Sequence, residues 1–330
     1  MVSALILSGI FFLTWPAVLF AQQRYFWSES GTSGTQAPNW TAKDLGLFEK
    51  YGLNVDLVFI PGGARGMQAL LGGSTHIADS DGVAPINAVL RGGELVIVAG
   101  VINKSLFRFV AQKDVADPAD LRGKKIGVAN FGGSNEFAVL LALKRWNISR
   151  EAVTLLAAGG SVTRLAAMAK GALDATVLPY ALSQQAARLG MRVLADIPDL
   201  MPSFPDKVVT VRRSFLLKER DTVKRFLQAI SEGIYQFNTN KEKGLTVYAK
   251  HLRTRDSKVL EENYSIYAGV FPLPPRVGRE GLRNVVELIL QRTPGAKADM
   301  DLGRFLDESV IDELEKEGFF KKFGAKESSG

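Results

Sequence analysis

The side chains that could perform chemistry in this 330-residue chain are few. The chain has no Cys and only two His, at positions 76 and 251. Disulfides, thiolate metal sites, iron–sulfur clusters and cysteine nucleophiles are therefore excluded, and two His are too few for a multi-histidine metal centre. The phosphate-binding loop, the His-Glu-x-x-His pattern and the Gly-x-Ser-x-Gly turn are also absent from the sequence. We expect no metal, no cofactor and no catalytic residue.

One cluster could still take part in catalysis. His76 lies just before two acids, Asp79 and Asp81. A Ser-His-Asp triad is assembled in space rather than along the sequence, and paired carboxylates can perform acid–base chemistry. However, a lone His at the start of a strand commonly serves the fold, and Asp commonly begins the helix that follows a strand. We favour these structural roles.

Four glycine-containing loops are the stronger functional signal. They lie at residues 61–65, 79–82, 130–135 and 158–161, each after a predicted strand and before a predicted helix. In open α/β sheets, ligands bind beyond the carboxyl ends of strands. Glycine lets the backbone approach a ligand closely, and a helix N-terminus offers unpaired N–H donors. The loop at residues 130–135 is the fullest, although its Ser134 is equally consistent with a simple helix cap.

These loops belong to a chain in which strands alternate with helices. Strands are predicted at residues 53–60, 76–79, 94–102, 124–129, 153–157, 173–178, 192–195 and 207–211, with helices between them. The unbroken apolar run at residues 95–98 is typical of a strand covered on both faces. This alternation indicates βαβ units and an α/β fold.

The second half of the chain is predicted to be almost entirely helical. Helices are expected at residues 214–237, 241–252, 257–268 and 280–290, where apolar residues recur every three or four positions. One such stripe contains Phe226, Ile230, Gly233 and Phe237. We interpret it as a packing surface against the sheet.

The first 21 residues are predicted to be an export signal. They contain no charged residue, their apolar run is interrupted by Pro16, and they end at the small residue Ala21 before two Gln residues. Cleavage after Ala21 would release a protein located outside the cytoplasm. An uncleaved membrane anchor is the alternative, which Pro16 disfavours.

Length and charge limit the remaining possibilities. The length suits about two domains. The net charge of +7 is spread along the chain, so that it predicts no nucleic-acid groove.

Several stretches resemble the bacterial substrate-binding proteins of ABC importers. They are AKDLGLFEKYGLNV at residues 42–55, GG at 62–63 leading to QALLGG at 68–73, ADLRGKKIGV at 119–128, LAAMAKGALDA at 165–175, and residues 213–227. The most similar branch is the nitrate/sulfonate/taurine-type family, which also contains thiamine-pyrimidine precursor synthases.

The resemblance implies a two-lobed type II periplasmic binding protein fold. Each lobe would be a mostly parallel sheet flanked by helices, with a helical C-terminal part. Lobe one would comprise residues 22–112 and 211–330, and lobe two residues 113–210. Two crossings, near residues 110–114 and 208–212, would form the hinge.

The resemblance also implies which residues face a ligand in the cleft. They are Ser33, Gly63, Asp81, Gly82, Gly133, Ser134 and Tyr180. Gly133 and Ser134 would donate to a polar or anionic group, and Tyr180 would supply an aromatic wall. Arg65 is a further candidate cation. Since Asp79 and Asp81 favour a ligand with donors instead, the charge of the ligand stays open.

We therefore expect a periplasmic, monomeric receptor without enzymatic activity. It would bind a small polar or anionic molecule and deliver it to ABC permease subunits in the inner membrane. An enzyme of the pyrimidine-synthase branch is the alternative from another class. That branch is cytoplasmic and uses a Cys-rich iron site and a histidine, whereas this chain lacks Cys and begins with a predicted export signal. A ligand sensor for a membrane kinase is a third possibility.

Overall fold

The computed structural model describes residues 23–291 and 301–324. The predicted signal at residues 1–21 lies outside the described residues. The strands are β1 (Arg24–Glu29), β2 (Asn54–Phe59), β3 (Ile77–Ser80), β4 (Leu95–Ile102), β5 (Phe107–Ala111), β6 (Lys125–Val128), β7 (Thr154–Ala157), β8 (Ala175–Pro179), β9 (Arg192–Asp196) and β10 (Lys207–Arg212). All eight strands predicted from the sequence are present, with ends that agree within two residues. The two strands that were not predicted as such are β1 and β5.

The helices account for most of the remaining chain. They are α1 (Ala37–Asp44), α2 (Leu47–Lys50), α3 (Gly63–Leu71), α4 (Val83–Leu90), α5 (Ser134–Arg145), α6 (Ser161–Ala169), α7 (Tyr180–Arg188), α8 (Ile197–Leu200), α9 (Arg213–Lys218), α10 (Arg220–Thr239), α11 (Lys241–His251), α12 (Ser257–Tyr267), α13 (Arg279–Gln291) and α14 (Ser309–Lys316). The single helix expected at residues 214–237 is instead two helices, because Glu219 leaves the helical conformation between α9 and α10. Among the described helices, none combines the length and apolarity needed to cross a bilayer.

The strands form two separate five-stranded sheets. The first has the order β2-β1-β3-β10-β4 and the second β7-β6-β8-β5-β9. Each sheet is mixed, because β10 runs antiparallel to β3 and β4, and β5 runs antiparallel to β8 and β9. The α/β architecture with helices flanking two sheets agrees with the sequence prediction.

The chain changes sheets earlier than the expected crossings. Residues 107–111 pair within the second sheet and residues 207–212 within the first. The connections between the sheets therefore lie before these strands, at residues 103–106 and 197–206, rather than at 110–114 and 208–212. The expected crossing positions are too late in the chain because the sequences of β5 and β10 were interpreted as the crossings themselves.

The helical C-terminal part packs on the first sheet. Trp27 on β1 is fully buried, and its ring contacts the rings of Phe48 and Phe226 at centroid distances of 6.1 and 4.8 Å. The predicted stripe on α10 is buried, and a Cβ at Gly233 would lie 2.8 Å from the carbonyl oxygen of Pro38. Glycine therefore permits the close crossing of α10 and α1. This packing fixes β1 and the loop that follows it.

Candidate functional site

A cavity of about 90 Å³ lies between the two sheets. The first sheet contributes the loops after β1, β2 and β3 and the start of β10. The second contributes the loops after β6 and β7, the end of β8 and the start of β5. Because β5 and β10 are antiparallel to their neighbours, their N-terminal ends lie beside the carboxyl ends of the other strands. The cavity thus occupies the edge at which α/β sheets bind ligands.

Five of the seven predicted site residues line this cavity together. They are Ser33, Gly63, Asp81, Gly133 and Ser134. They come from the loops after β1, β2, β3 and β6, so both sheets contribute. Their contact with a ligand remains a prediction.

Gly82 is not among the lining residues. Its N–H donates to the carbonyl oxygen of Pro205 at 2.8 Å, and a Cβ at this position would lie 2.6 Å from Pro205 Cγ. The absence of a side chain therefore serves the packing of the loop after β3 against the segment that precedes β10.

Tyr180 also lies outside the lining. The guanidinium of Arg108 sits 3.8 Å from the centroid of its ring, so the ring forms a cation–π contact in a neighbouring groove. Pro179, one residue earlier, does line the cavity, and the aromatic residues of the lining are Phe59 and Phe107. The difference arises because Tyr180 is the first residue of α7 and Pro179 the last of β8.

Asp81 connects the two halves of the cavity. Its carboxylate accepts a hydrogen bond from the backbone N–H of Ala84 at 3.0 Å, and it lies close enough to Ser134, across the cleft, for the donors of Ser134 to favour its ionised form. Burial raises the pKa of Asp81 above its usual value, which these donors oppose. A Cβ at Gly63 would lie 2.9 Å from Asp81 Oδ2, so glycine gives the carboxylate room.

Two hydrogen bonds join the half that contains the first sheet to the half that contains the second. Asn130 Nδ2 donates to the carbonyl oxygen of Pro61 at 3.1 Å, and Asn87 Nδ2 donates to that of Gly132 at 3.2 Å. The cleft is therefore in a closed arrangement.

A buried ion pair supports the floor of the cavity. Lys207 Nζ lies 2.8 Å from Asp79 Oδ2, and both side chains are almost fully buried. Asp79 also accepts from the backbone and hydroxyl of Ser30 at 2.8 and 3.0 Å and from Asn39 Nδ2 at 2.7 Å. Burial, with the charge of Asp79, raises the pKa of the adjacent Glu29 from 4.5 to about 7. These contacts give Asp79 a structural role inside β3, whereas the role expected from the sequence, at the start of the following helix, belongs to Asp81.

Arg164 is a lining residue that sequence reasoning missed. Its guanidinium donates to Thr176 Oγ1 at 2.9 Å and to the carbonyl oxygens of Val177, at 3.0 Å, and Gly159. It forms no ion pair with a described residue, and burial lowers its pKa to about 10. The candidate cation Arg65 is instead exposed and is not part of the lining.

His76 has a structural role. Its Nδ1 accepts the backbone N–H of Phe26 at 3.1 Å, and the two rings stack at a centroid distance of 6.1 Å. It is not among the lining residues, so it is not positioned as a base for the cavity.

A family model described as NMT1/THI5 like matches residues 35–242 of the chain. The match includes most of both sheets and nearly all the loops that line the cavity.

Curated relatives come from Brucella. A protein of Brucella abortus and one of Brucella suis, both named as binding proteins, are 32% identical to this chain over 219 residues. The aligned region is 64% of this chain and 66% of each relative. The chain thus spans just under two thirds of the length of these relatives.

Solved structures show the same fold at low sequence identity. The alkanesulfonate-binding protein SsuA from Xanthomonas axonopodis pv. citri, bound to MOPS, superposes with a TM-score of 0.72 at 17% identity, covering 87% of this chain and 99% of that one. The periplasmic nitrate-binding protein NrtA from Synechocystis PCC 6803 gives 0.68 at 13% identity, covering 89% and 88%. The chain has the periplasmic binding protein fold.

Proposed function

Because the chain belongs to the NMT1/THI5-like family, we propose that it is an extracytoplasmic solute-binding protein, which captures a small polar molecule between its two sheets and delivers it to an ABC importer. The observation that carries this proposal is the cavity, whose walls are strand-end loops from both sheets. A ligand held there contacts both halves. It therefore stabilises the closed arrangement by its greater affinity for that state.

The two short connections between the sheets supply the hinge. All other described elements remain within one half, so opening requires bending only near residues 103–106 and 197–206. The hydrogen bonds that Asn87 and Asn130 donate cross the cleft and would break on opening, and the contact between Asp81 and Ser134 would be lost.

One end of the cavity suits an acceptor-rich group. Arg164 has five N–H donors, of which three are used within the protein. Gly160 and Ser161, at the N-terminus of α6, line the cavity beside it. A carboxylate, sulfonate or carbonyl group would be stabilised at this end by charge and by backbone donors.

The enzyme alternative has less support. The synthases of the resembling branch need a Cys-rich site and a histidine, whereas this chain has no Cys. His251 contacts Asp44 at 3.0 Å, and neither His lines the cavity. The relatives are named as binding proteins, which also favours a receptor over an enzyme. A sensor role would use the same closure and differ only in its membrane partner.

The importer role is tested by uptake in cells. The purified protein is screened by thermal melting against a panel of small polar molecules. The first three to be tested are nitrate, ethanesulfonate and MOPS. Deleting the gene should abolish uptake of the molecule that raises the melting temperature, and the wild-type gene should restore it. The Gly133→Val variant should fold but fail to restore uptake, because a side chain there would start 3.3 Å from Asn130 Oδ1 and fill the cavity. Undiminished uptake in the deletion strain would refute the role.

Export is tested by fractionation. We expect the protein in the periplasm with its mature N-terminus near Gln22, because an uncharged apolar stretch ends at Ala21. N-terminal sequencing of the fractionated protein decides this. Intact Met1 on a cytoplasmic protein would contradict it.

A further inference from the structure

Two acceptor oxygens in the cavity wall have no hydrogen-bond partner among the described residues. Asp206 and Asn130 line the cavity, and each is 8% exposed. Asp206 Oδ1 and Asn130 Oδ1 are buried and receive no hydrogen bond from any described residue. The amide orientation of Asn130 is fixed because its Nδ2 donates to the carbonyl oxygen of Pro61. A buried acceptor without a donor is destabilising, so this wall is incomplete without a ligand.

Lys207, the residue next to Asp206, cannot satisfy it. An ammonium group has three donors. Lys207 Nζ directs them to Asp79 Oδ2 at 2.8 Å, the carbonyl oxygen of Thr35 at 3.1 Å, and Gln36 Oε1. Within the part of the chain that the structure describes, Asp206 therefore forms no ion pair.

The charges around Asp206 also disfavour an anion there. Burial and the charge of Asp81 raise the pKa of Asp206 well above its usual value, while Lys207 opposes this. Tyr267 is the other titratable neighbour, and the charge of Asp206 helps to raise its pKa.

We propose that the ligand carries a positively charged nitrogen group with at least two N–H donors, such as a primary ammonium or an amidinium, which donates to Asp206 and Asn130. Asp206 is then a specificity-determining residue of the receptor. This role rests on the proposed receptor function. Simple oxyanions lack donors and would meet unsatisfied acceptors at this end of the cavity. Arg164, at the other end of the cavity, binds an acceptor group. A small molecule with both a cationic and an anionic group therefore complements the cavity best.

The test uses pairs of molecules that differ only by an amino group. The probes are acetate and glycine, propanoate and 3-aminopropanoate, and ethanesulfonate and 2-aminoethanesulfonate, with guanidinoacetate as an amidine-type cation. Calorimetry and thermal melting are run on the full mature protein. We expect binding by amino or guanidino members and at least tenfold weaker binding by their partners. Asp206→Asn should weaken the binding of the amino members at least tenfold, whereas Asp221→Asn, at an exposed position on α10, should not.

The pH dependence distinguishes a carboxylate from a protonated Asp206. A cation favours the ionised carboxylate, so its binding releases a proton and its affinity should rise between pH 5 and pH 8. If protonated Asp206 instead donated to the ligand, affinity would fall over this range, which would overturn the proposal. Failure of every amino and guanidino probe to bind would overturn it as well.

The same experiment distinguishes failure of this inference from failure of the proposed receptor function. If acetate, propanoate or ethanesulfonate binds as well as its amino partner, or if Asp206→Asn has no effect, this inference fails and the receptor function stands. If no molecule in this panel or in the wider screen binds, both fail.

Discussion

The buried carboxyl of Glu29 should make the protein less stable as the pH rises, and Glu29→Gln should remove this effect. Glu29 lies at the end of β1, where burial and the charge of Asp79 raise its pKa from 4.5 to about 7. The folded state therefore retains a proton that the unfolded chain has lost. Because the folded state binds more protons in this range, stability falls between about pH 4.5 and pH 7.

The size of the effect follows from the two pKa values. At 1.36 kcal/mol for each unit between 4.5 and about 7, Glu29 should cost the wild-type protein about 3 kcal/mol at pH 8. Gln cannot ionise and keeps an oxygen to accept the hydrogen bond from Asn39 Nδ2. The variant should thus equal the wild type near pH 4.5 and exceed it by up to about 3 kcal/mol above pH 7.

Urea unfolding at half-unit steps from pH 4.5 to pH 8 measures this difference. With a slope of roughly 3 kcal/mol per molar urea, the midpoints should separate by about 1 M at pH 8. The control is Glu287→Gln on the exposed face of α13, which should leave the pH profile unchanged. Parallel pH profiles for Glu29→Gln and the wild type would refute the assignment of a buried, protonated Glu29.

Two further substitutions test the site. Gly63→Ala should destabilise the fold by about 1–3 kcal/mol in urea unfolding, because its Cβ would lie 2.9 Å from both Asp81 Oδ2 and Ala84 Cβ; an unchanged midpoint would contradict this contact. Arg164→Met should abolish binding of carboxylate- or sulfonate-bearing probes in calorimetry, because it removes the guanidinium from the cavity wall, whereas the exposed control Arg65→Met should bind normally. Equal loss of binding in the two variants would argue against a local role for Arg164.

The regular elements were largely predictable because their signals are local. The run at β4 is apolar throughout, and glycines end α3 and follow α4, so their limits follow from residues that are close in sequence. The strand β5 was harder to predict from the sequence. It includes Arg108 and runs antiparallel to its neighbours, so its sheet membership depends on pairing with β8 and β9 rather than on its own pattern.

The site was predictable only in part for the same reason. The glycine loops carry a local signal, whereas Asp206 and Lys207 look like an ordinary charged start to a strand until β10 inserts between β3 and β4. Arg164 did offer a signal: it lies four residues before the buried Met168, which places both on the same face of α6. Its burial beside Thr176 required the tertiary structure.

Small-angle X-ray scattering tests the central claim most directly, which is that a ligand closes the two halves onto the cavity. The protein is measured alone and with a saturating concentration of whichever probe gives the largest melting shift. That shift should correspond to about 2.7 kcal/mol of stabilisation at a hundredfold excess over the dissociation constant. The account predicts a smaller radius of gyration with the probe, a scattering profile that fits the closed arrangement described above, and unchanged circular dichroism. A clear melting shift without any contraction would contradict it, because binding would then not depend on closure of the two halves.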